Sequence, residues 1–346
     1  MSNGILRWGV VGTGGIAADF CEALQRSARC RVVNVAGSSP VKARDFATRA
    51  GIDAWCDGLS QLLTDSSVEA VYIATPHPWH EAQALAAVAA GKHVLCEKPL
   101  TLDEAGAARV IAAARSQGVF LMEGFMYRCH PLVRELLTRL QDGVIGAPRH
   151  LRADFGFHAR RAPAHRLFSP ALGGGSILDV GGYPMSFARL IAGLVEGTAI
   201  AEPAGLTAHG VIGPTGVDEL AGALVTFGSG FTASLTSAIS YEVGTTAVVF
   251  GELGKIVLPN PWIPGGRRQG TCSELTVFRD GRDPEYVPIL TDLATYAIEA
   301  ELVLDSLPAT EVSWPAMTHA DTLGNMRALD AWRAALGPVA IPSVAV

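Results

Sequence analysis

The chain has 346 residues, about half of them apolar (49%), and a formal net charge of −6. That length suits two domains that each bury a core, and that charge leaves no basic footprint for nucleic acid. No apolar run reaches the roughly 18 residues that a membrane span needs, and the N-terminus enters its first strand too soon to hold a signal peptide.

Arg7-Trp8-Gly9-Val10-Val11 reads as a buried strand that ends in a glycine cluster and turns into a helix from Ala17. Gly12-x-Gly14-x-x-Ala17 is the dinucleotide fingerprint in its Gly/Ala form. Gly12 permits the turn, Gly14 lets a diphosphate approach the backbone, and Ala17 lets the helix pack closely on the strand. The helix N-terminus offers unpaired N–H groups and a positive dipole end. A lone motif of this kind is weak, because glycines also make ordinary turns. Its place at the first strand of a long alternating pattern favours the nucleotide reading.

Arg31–Ala36 is the next strand, followed by Gly37-Ser38-Ser39-Pro40. Ser39 suits a helix N-cap and Pro40 the first helical position, with a helix over Val41–Ala50 closed by Gly51. An NAD-preferring site would place an Asp or Glu at the end of this strand to bond the ribose hydroxyls. Here Ser38 and Ser39 stand there, with Lys42 and Arg44 beyond, a set that welcomes a 2′-phosphate. Lys42 and Arg44 also suit a plain solvated helix face, the better description for Arg44.

Ala70–Ala74 is a buried strand leading to Thr75-Pro76-His77-Pro78-Trp79-His80 and a helix through Ala90. His93–Cys96 is another strand and runs into Glu97-Lys98-Pro99-Leu100. Thr101 and Glu104 have the spacing of a capping box before an Ala-rich helix that stops at Gly118, and Val119–Glu123 is a further strand. Alternating strands and helices specify a parallel sheet with helices on both faces, whose ligands gather at the carboxyl ends of the strands. The Gly12–Ala17 turn, Ser38-Ser39, Thr75–His80, Glu97-Lys98 and Glu123-Gly124 all fall on that edge. His77 and His80 have metal-like spacing but no third ligand nearby, so they are read as pocket lining and no metal is expected.

The pattern changes after Gly124. A helix near Leu132–Leu140 precedes strand-like segments at Arg149–Phe157, Leu206–Ile212, Leu220–Phe227, Phe231–Ile239, Ala247–Phe250, Gly254–Leu258 and Glu274–Phe278. Between the first two lies the glycine-rich stretch Gly173–Pro184. Strands so spaced, with few helices between them, indicate a mostly antiparallel sheet. Helices near Asp292–Asp305 and Thr318–Leu336 end the pattern, and Pro259–Gly270 is expected to be a mobile loop. The six cysteines (Cys21, Cys30, Cys56, Cys96, Cys129 and Cys272) form no C-x-x-C pair, which fits reduced thiols in a cytoplasmic protein.

A nicotinamide enzyme acting on an alcohol must move a proton from oxygen as hydride leaves carbon. Lys98 follows a buried strand, and Tyr183 follows Asp179 by four residues, which places both on one face of a helix. A neighbouring ammonium stabilises a phenolate, so Lys98 and Tyr183 make a workable acid/base device. A buried structural tyrosine and a strand-end lysine fit the residues about as well.

These residues carry a resemblance that runs nearly end to end. The Gly12–Ala17 turn, Glu97-Lys98-Pro99-Leu100, the run Met122–Pro131, Asp179-Val180-Gly181-Gly182-Tyr183 and Phe250-Gly251-x-x-Gly254 resemble the Gfo/Idh/MocA family of NAD(P)-dependent oxidoreductases. Tyrosine at 183, where many members have histidine, resembles the branch of glucose–fructose oxidoreductase, dimeric dihydrodiol dehydrogenase and NADP-dependent xylose dehydrogenase. Gly182-Tyr183-Pro184 departs from the Ile/Val-Tyr-Cys usual in that branch.

The resemblance implies an α/β protein with a doubly wound Rossmann sheet and a C-terminal α+β domain built on an open, mostly antiparallel sheet. The first domain is expected over 1–124 and a substrate-binding and oligomerisation domain over 125–346, the last helix packing back on the first domain. It implies Lys98 beside the nicotinamide, Tyr183 as acid/base, and a homodimer or higher homo-oligomer. The resulting expectation is an NADP-preferring dehydrogenase or reductase, with NAD as the alternative cofactor, acting on a sugar, polyol or cyclic alcohol. Gly12, Thr13, Gly14, Gly15 and Ile16 would hold the diphosphate; Ser38, Ser39 and Lys42 the adenosine end; Thr75, Pro76, His77, His80 and Glu97 the ribose and nicotinamide. Lys98 and Tyr183 would carry the proton, and Asp179 would orient the substrate or the lysine. Two rivals remain open: a redox-neutral enzyme that retains and recycles its nicotinamide, and a non-catalytic dinucleotide sensor.

Overall fold

The computed structural model describes residues 4–162 and 164–336. Its first layer is built from β1 (Leu6–Val11), α1 (Gly15–Leu24), β2 (Cys30–Ala36), α2 (Pro40–Ala50), β3 (Ala54–Cys56), α3 (Leu59–Thr64), β4 (Ala70–Ile73), α4 (His80–Ala89), β5 (His93–Glu97), α5 (Glu104–Gln117) and β6 (Leu121–Gly124). The sheet order is β3-β2-β1-β4-β5-β6, and every pairing is parallel. Strands covered on both faces should be apolar throughout, and β4 is buried at all four positions. The order reverses between β1 and β4, where α/β sheets open their ligand crevice.

Local chemistry sets the turns. Gly12 has φ +118°, and a side chain there would meet the Ala74 carbonyl oxygen at 2.6 Å. Glycine is therefore required where the first turn passes β4. Ser39 caps α2 through Lys42 N–H, with Pro40 at the first helical position and Gly51 left-handed at the end. The expected capping box at Thr101 does not form. Asp103 is the N-cap and accepts from Gly106 N–H, while Thr101 donates its hydroxyl to the Asp103 carbonyl. A carboxylate one residue before the helix outcompetes a hydroxyl three before it, because it also faces the helix dipole.

The second layer follows α6 (Met126–Cys129) and α7 (Pro131–Gln141), and comprises β7 (Pro148–Gly156), α8 (Gly182–Glu196), β8 (Pro203–Ile212), β9 (Asp218–Phe227), β10 (Thr232–Ala238), β11 (Ala247–Gly251), β12 (Gly254–Leu258), β13 (Cys272–Arg279) and β14 (Glu285–Leu290). Eight strands run in the order β14-β13-β12-β11-β7-β10-β9-β8. All neighbours are antiparallel except β7 and β10. One face is the core: Ala221, Ala223, Val225 and Phe227 of β9 alternate inward, as do Ala233 and Leu235 of β10. The opposite face carries Leu224, Tyr286 and Leu290, all exposed. Strand β14 escaped sequence reading because it alternates half-buried and exposed residues with a proline among them, and β3 because it is three residues long.

Two closing helices tie the layers together. α9 (Thr295–Ser306) lies against α1, and α10 (His319–Ala335) lies between α5 and α8. Inside the protein Asp321 of α10 receives both Arg128 at 2.7 Å and Arg189 at 2.6 Å. That buried, doubly paired carboxylate fixes α8 against α10. The cysteines are unpaired, and all but Cys272 are buried. No helix among the described residues is long and apolar enough to cross a membrane.

Candidate active site

The carboxyl edge of the parallel sheet opens into two adjoining cavities. The first, about 460 Å³, is lined by Gly12, Thr13, Gly14, Gly37, Ser38, Thr75, Pro76, Trp79 and Gln83 among others. The second, about 570 Å³, takes Gly14, Gly15, Ile16, Thr75, Pro76, His77, His80, Glu97 and Lys98 from the first layer. From the second layer come Phe155, Phe157, Arg166, Asp179, Tyr183, Ile263, Arg267 and Tyr296. The two meet at Gly14 and the Thr75-Pro76 turn, so one elongated ligand can span both.

The fit to a dinucleotide follows from the cradle. A Cβ on Gly14 or Gly15 would meet nothing within 4 Å, which leaves the N-terminus of α1 open to a phosphate. Ser38 lines the first cavity, and Lys42 Nζ donates to its Oγ at 3.2 Å. Among the described residues no carboxylate lines that cavity. Arg44 faces Asp45 in solvent instead, at 3.5 Å. Ser39 is spent on its capping bond.

The histidines brace the floor. His80 is fully buried, with Nδ1 2.8 Å from the Pro99 carbonyl oxygen and Nε2 2.7 Å from that of Thr75. It therefore links the turn after β4 to the turn after β5, which carries Lys98. His77 Nδ1 lies 3.1 Å from the Gly173 carbonyl oxygen, and burial followed by its neighbour His80 pushes its pKa down to about 3. A neutral ring that donates from Nδ1 keeps Nε2 as an acceptor. Thr75 gives its hydroxyl to Gln83 at 2.6 Å.

Glu97 is held by Tyr72, whose hydroxyl donates to Oε1 at 2.5 Å. Burial raises the Glu97 pKa, and Lys98 is the main opposing influence. Lys98 extends across the domain gap and donates from Nζ to the Asp179 main-chain carbonyl at 2.6 Å. Burial lowers its pKa, opposed by Asp179 and Glu97. The Asp179 carboxylate takes Arg166 Nη1 at 2.9 Å. Burial acts to raise it, but Lys98, Arg166 and His77 together leave its pKa below the ordinary value.

Tyr183 stands at the start of α8, just past the π-type turn Ile177–Gly181 that carries Asp179. Its ring packs edgewise on Phe125 and Phe155, with centroids 5.2 and 5.1 Å away, and on Trp262 at 6.2 Å. Lys98 Nζ lies 5.1 Å from the ring centre. Among the described residues the Tyr183 hydroxyl makes no hydrogen bond, unlike Tyr72 and Tyr127, which donate to or pair with Glu97 and Ser186. Burial pushes its pKa well above the usual range, followed by Glu97; Arg267 is the cation that opposes the rise. Lys98 presents its charge to the ring and to the Asp179 carbonyl. Sequence reasoning missed Arg166, in an irregular segment with no periodicity, and treated Arg267 as part of a free loop.

Residues 6–125 match the oxidoreductase family with an NAD-binding Rossmann fold, and residues 133–257 match the GFO/IDH/MocA C-terminal domain. The chain belongs to the Gfo/Idh/MocA family. It is 38% identical over 261 residues to mouse (Mus musculus) trans-1,2-dihydrobenzene-1,2-diol dehydrogenase, covering 75% of this chain and 76% of that one. The human (Homo sapiens) enzyme of that name is 36% identical over 262 residues, covering 75% and 76%. Among solved structures it is similar to KijD10, a 3-ketoreductase from Actinomadura kijaniata in complex with NADP and TDP-benzene. That likeness has a TM-score of 0.84 and 27% identity, over 98% of this chain and 100% of that one. As a member of this family the protein is an NAD(P)-dependent dehydrogenase or reductase, and its α/β architecture is the family's.

Proposed function

We propose that this enzyme interconverts a ring hydroxyl and the corresponding ketone of a sugar, polyol or related cyclic alcohol, with NADP(H) preferred over NAD(H). The observation that carries the reading is the free hydroxyl of Tyr183, on a ring immobilised by aromatic neighbours and facing a cavity shared with Lys98 and Asp179. Among the described residues Tyr296 also lines that cavity without a hydrogen bond, but of the two only Tyr183 has a lysine ammonium against its ring. The relatives named for a diol dehydrogenase and a 3-ketoreductase support a cyclic alcohol or ketone.

The nicotinamide, when bound, accepts or supplies the hydride. The chain handles the proton. In reduction the Tyr183 phenol, kept protonated by burial, gives its proton to the substrate oxygen as the carbonyl becomes an alcohol. In oxidation the phenolate must form first, and Lys98 and Arg267 supply the positive potential that makes it accessible. Lys98 hydrogen-bonds the Asp179 carbonyl and holds the two layers in register. The Asp179 carboxylate with Arg166 forms a charged rim that can orient substrate hydroxyls. Ser38 and Lys42 are assigned to the 2′-phosphate, with Ser39 shaping that turn; Gly12, Thr13, Gly14, Gly15 and Ile16 to the diphosphate; Thr75, Pro76, His77, His80 and Glu97 to the ribose and nicotinamide end. The boundary falls at Gly124, with cofactor binding before it and substrate binding and subunit contact after it.

The test is a panel of sugars, polyols and cyclic diols assayed by absorbance of the reduced cofactor, with NADP and NAD in parallel. Turnover confined to acyclic substrates, or an equal preference for both cofactors, would overturn the reading.

A further inference from the structure

The segment 259–271 joins β12 to β13 by crossing from the second sheet to the dinucleotide helix α1. It is anchored on both sides rather than free. Trp262 is fully buried, and its Nε1 donates to the Asp154 carbonyl at 2.9 Å. Thr295 donates its hydroxyl to the Pro264 carbonyl and its N–H to that of Gly266, the latter at 3.1 Å. Gly265 N–H donates to Ser273 Oγ at 2.7 Å. Gly265 and Gly266 are both left-handed, with φ +70° and +73°. Only glycine makes that pair of turns cheaply, and they bring Arg267 and Arg268 onto α1.

The two arginines meet α1 differently. Arg268 donates from Nε to Asp19 at 2.6 Å and reaches Glu22 at 3.2 Å. Arg267 comes no nearer to Asp19 than 3.6 Å, and among the described residues it makes no hydrogen bond. Arg267 nevertheless lines the larger cavity together with Gly14, Gly15 and Ile16. The other cations lining that cavity, Lys98 and Arg166, are already engaged with Asp179. Asp19 is a nearly buried anion on the helix that must receive a diphosphate, and left alone it would repel one. Arg268 neutralises it, which leaves Arg267, paired with Asp19 only at 3.6 Å, with five N–H donors that make no hydrogen bond among the described residues.

We infer that Arg267 clamps the diphosphate of the dinucleotide from the second domain, with the Arg268–Asp19 pair holding the strap in place. A planar guanidinium matches two phosphate oxygens at once. Its contact with α1 at Asp19, in a cavity that Gly14, Gly15 and Ile16 also line, addresses the diphosphate common to both cofactors, whereas the 2′-phosphate is assigned to Ser38, which lines the other cavity, and its partner Lys42. Arg267 therefore sets how long the cofactor stays, and not which cofactor is chosen. This inference rests on the dinucleotide-enzyme reading above.

The test uses the full chain, with NADPH and NADH as probes, in fluorescence titration and stopped-flow displacement. Arg267→Met should raise both Kd values by a similar factor, about 10- to 100-fold, the worth of a lost charge-assisted hydrogen-bond pair, and should speed release accordingly. Arg267→Lys should recover part of that loss. Arg267 is 40% exposed in its side chain, and an unchanged melting temperature without cofactor would verify the fold; Arg267→Gln serves if Met fails it. Kd values within twofold of the parent would overturn the clamp, as would a loss confined to NADPH. Failure of the parent to bind either dinucleotide would instead overturn the underlying enzyme reading.

Discussion

Lys98 donates from Nζ to the Asp179 main-chain carbonyl at 2.6 Å, and this bond joins the end of β5 to the turn before α8. The lysine thus does two things at once: it fixes the domain that carries Tyr183 and places a charge 5.1 Å from that ring. Lys98→Met removes both the charge and the bond while keeping the length of the stem. Turnover should fall by about 10²-fold or more. The pH optimum for alcohol oxidation should rise, because the phenolate loses a stabilising cation. An unmoved pH profile would reduce Lys98 to a structural strut.

Tyr183→Phe keeps the packing against Phe125, Phe155 and Trp262 and deletes only a hydroxyl that makes no hydrogen bond among the described residues. Cofactor affinity and melting temperature should therefore survive, while turnover falls by about 10²–10⁴-fold. The double variant with Lys98→Met should be little worse than either single one, since both serve one proton transfer. Saturated turnover within a few-fold of the parent would transfer the role to Tyr296 or His77.

Much of this arrangement was legible beforehand because parallel strands fix where their ends go. Once the Gly12 turn was placed, Ser38, Thr75–His80 and Glu97-Lys98 had to share one edge. What the sequence could not show is how long side chains pair across irregular segments. Arg166 reaches Asp179 across 13 positions, and Arg268 reaches Asp19 across 249. Neither lies in a periodic segment, and glycine-rich composition made 259–270 read as mobile when its buried Trp262 anchors it. The sequence suggests a tyrosine–lysine pair acting through space by charge; the carbonyl of Asp179 as the lysine's partner has no sequence signal.

Ser38 and Lys42 form a hydroxyl–ammonium pair at the adenosine end. Ser38→Asp would convert that pair into an ion pair and set a carboxylate against a 2′-phosphate. The Kd for NADP should rise at least about tenfold, and that for NAD should change far less because the acid can bond ribose hydroxyls. Parallel loss of both would show that the turn has collapsed.

The outer face of the second sheet exposes Leu224 at 49%, Tyr286 at 72% and Leu290 at 79%. A one-sided sheet with exposed apolar residues invites cover from a second copy. The protein should therefore behave as a dimer or larger assembly in light scattering at micromolar concentration, and Leu224→Arg should shift it toward smaller species. A monomeric parent would remove this expectation.

Glu123 offers a prediction in pH. Its Oε1 accepts the Leu100 N–H at 2.9 Å, directly after the Lys98-Pro99 turn, and the side chain is buried. Burial raises the carboxyl from 4.5 to about 7, against the opposing pull of that N–H and of the Thr322 side chain; Asp321 adds to the rise and Lys98 offsets it. The folded protein therefore holds a proton between pH 4.5 and 7 that the unfolded chain has released. More protons bound when folded means that stability falls as pH rises through this window, by on the order of 3 kcal/mol at 1.36 kcal/mol per unit. Glu123→Gln keeps an oxygen for Leu100 N–H and places a neutral amide where the carboxylate would form. Parent and variant should melt at similar temperatures near pH 4.5, and the variant should gain progressively up to pH 8. A melting difference that does not change with pH would show that Glu123 does not titrate in this window.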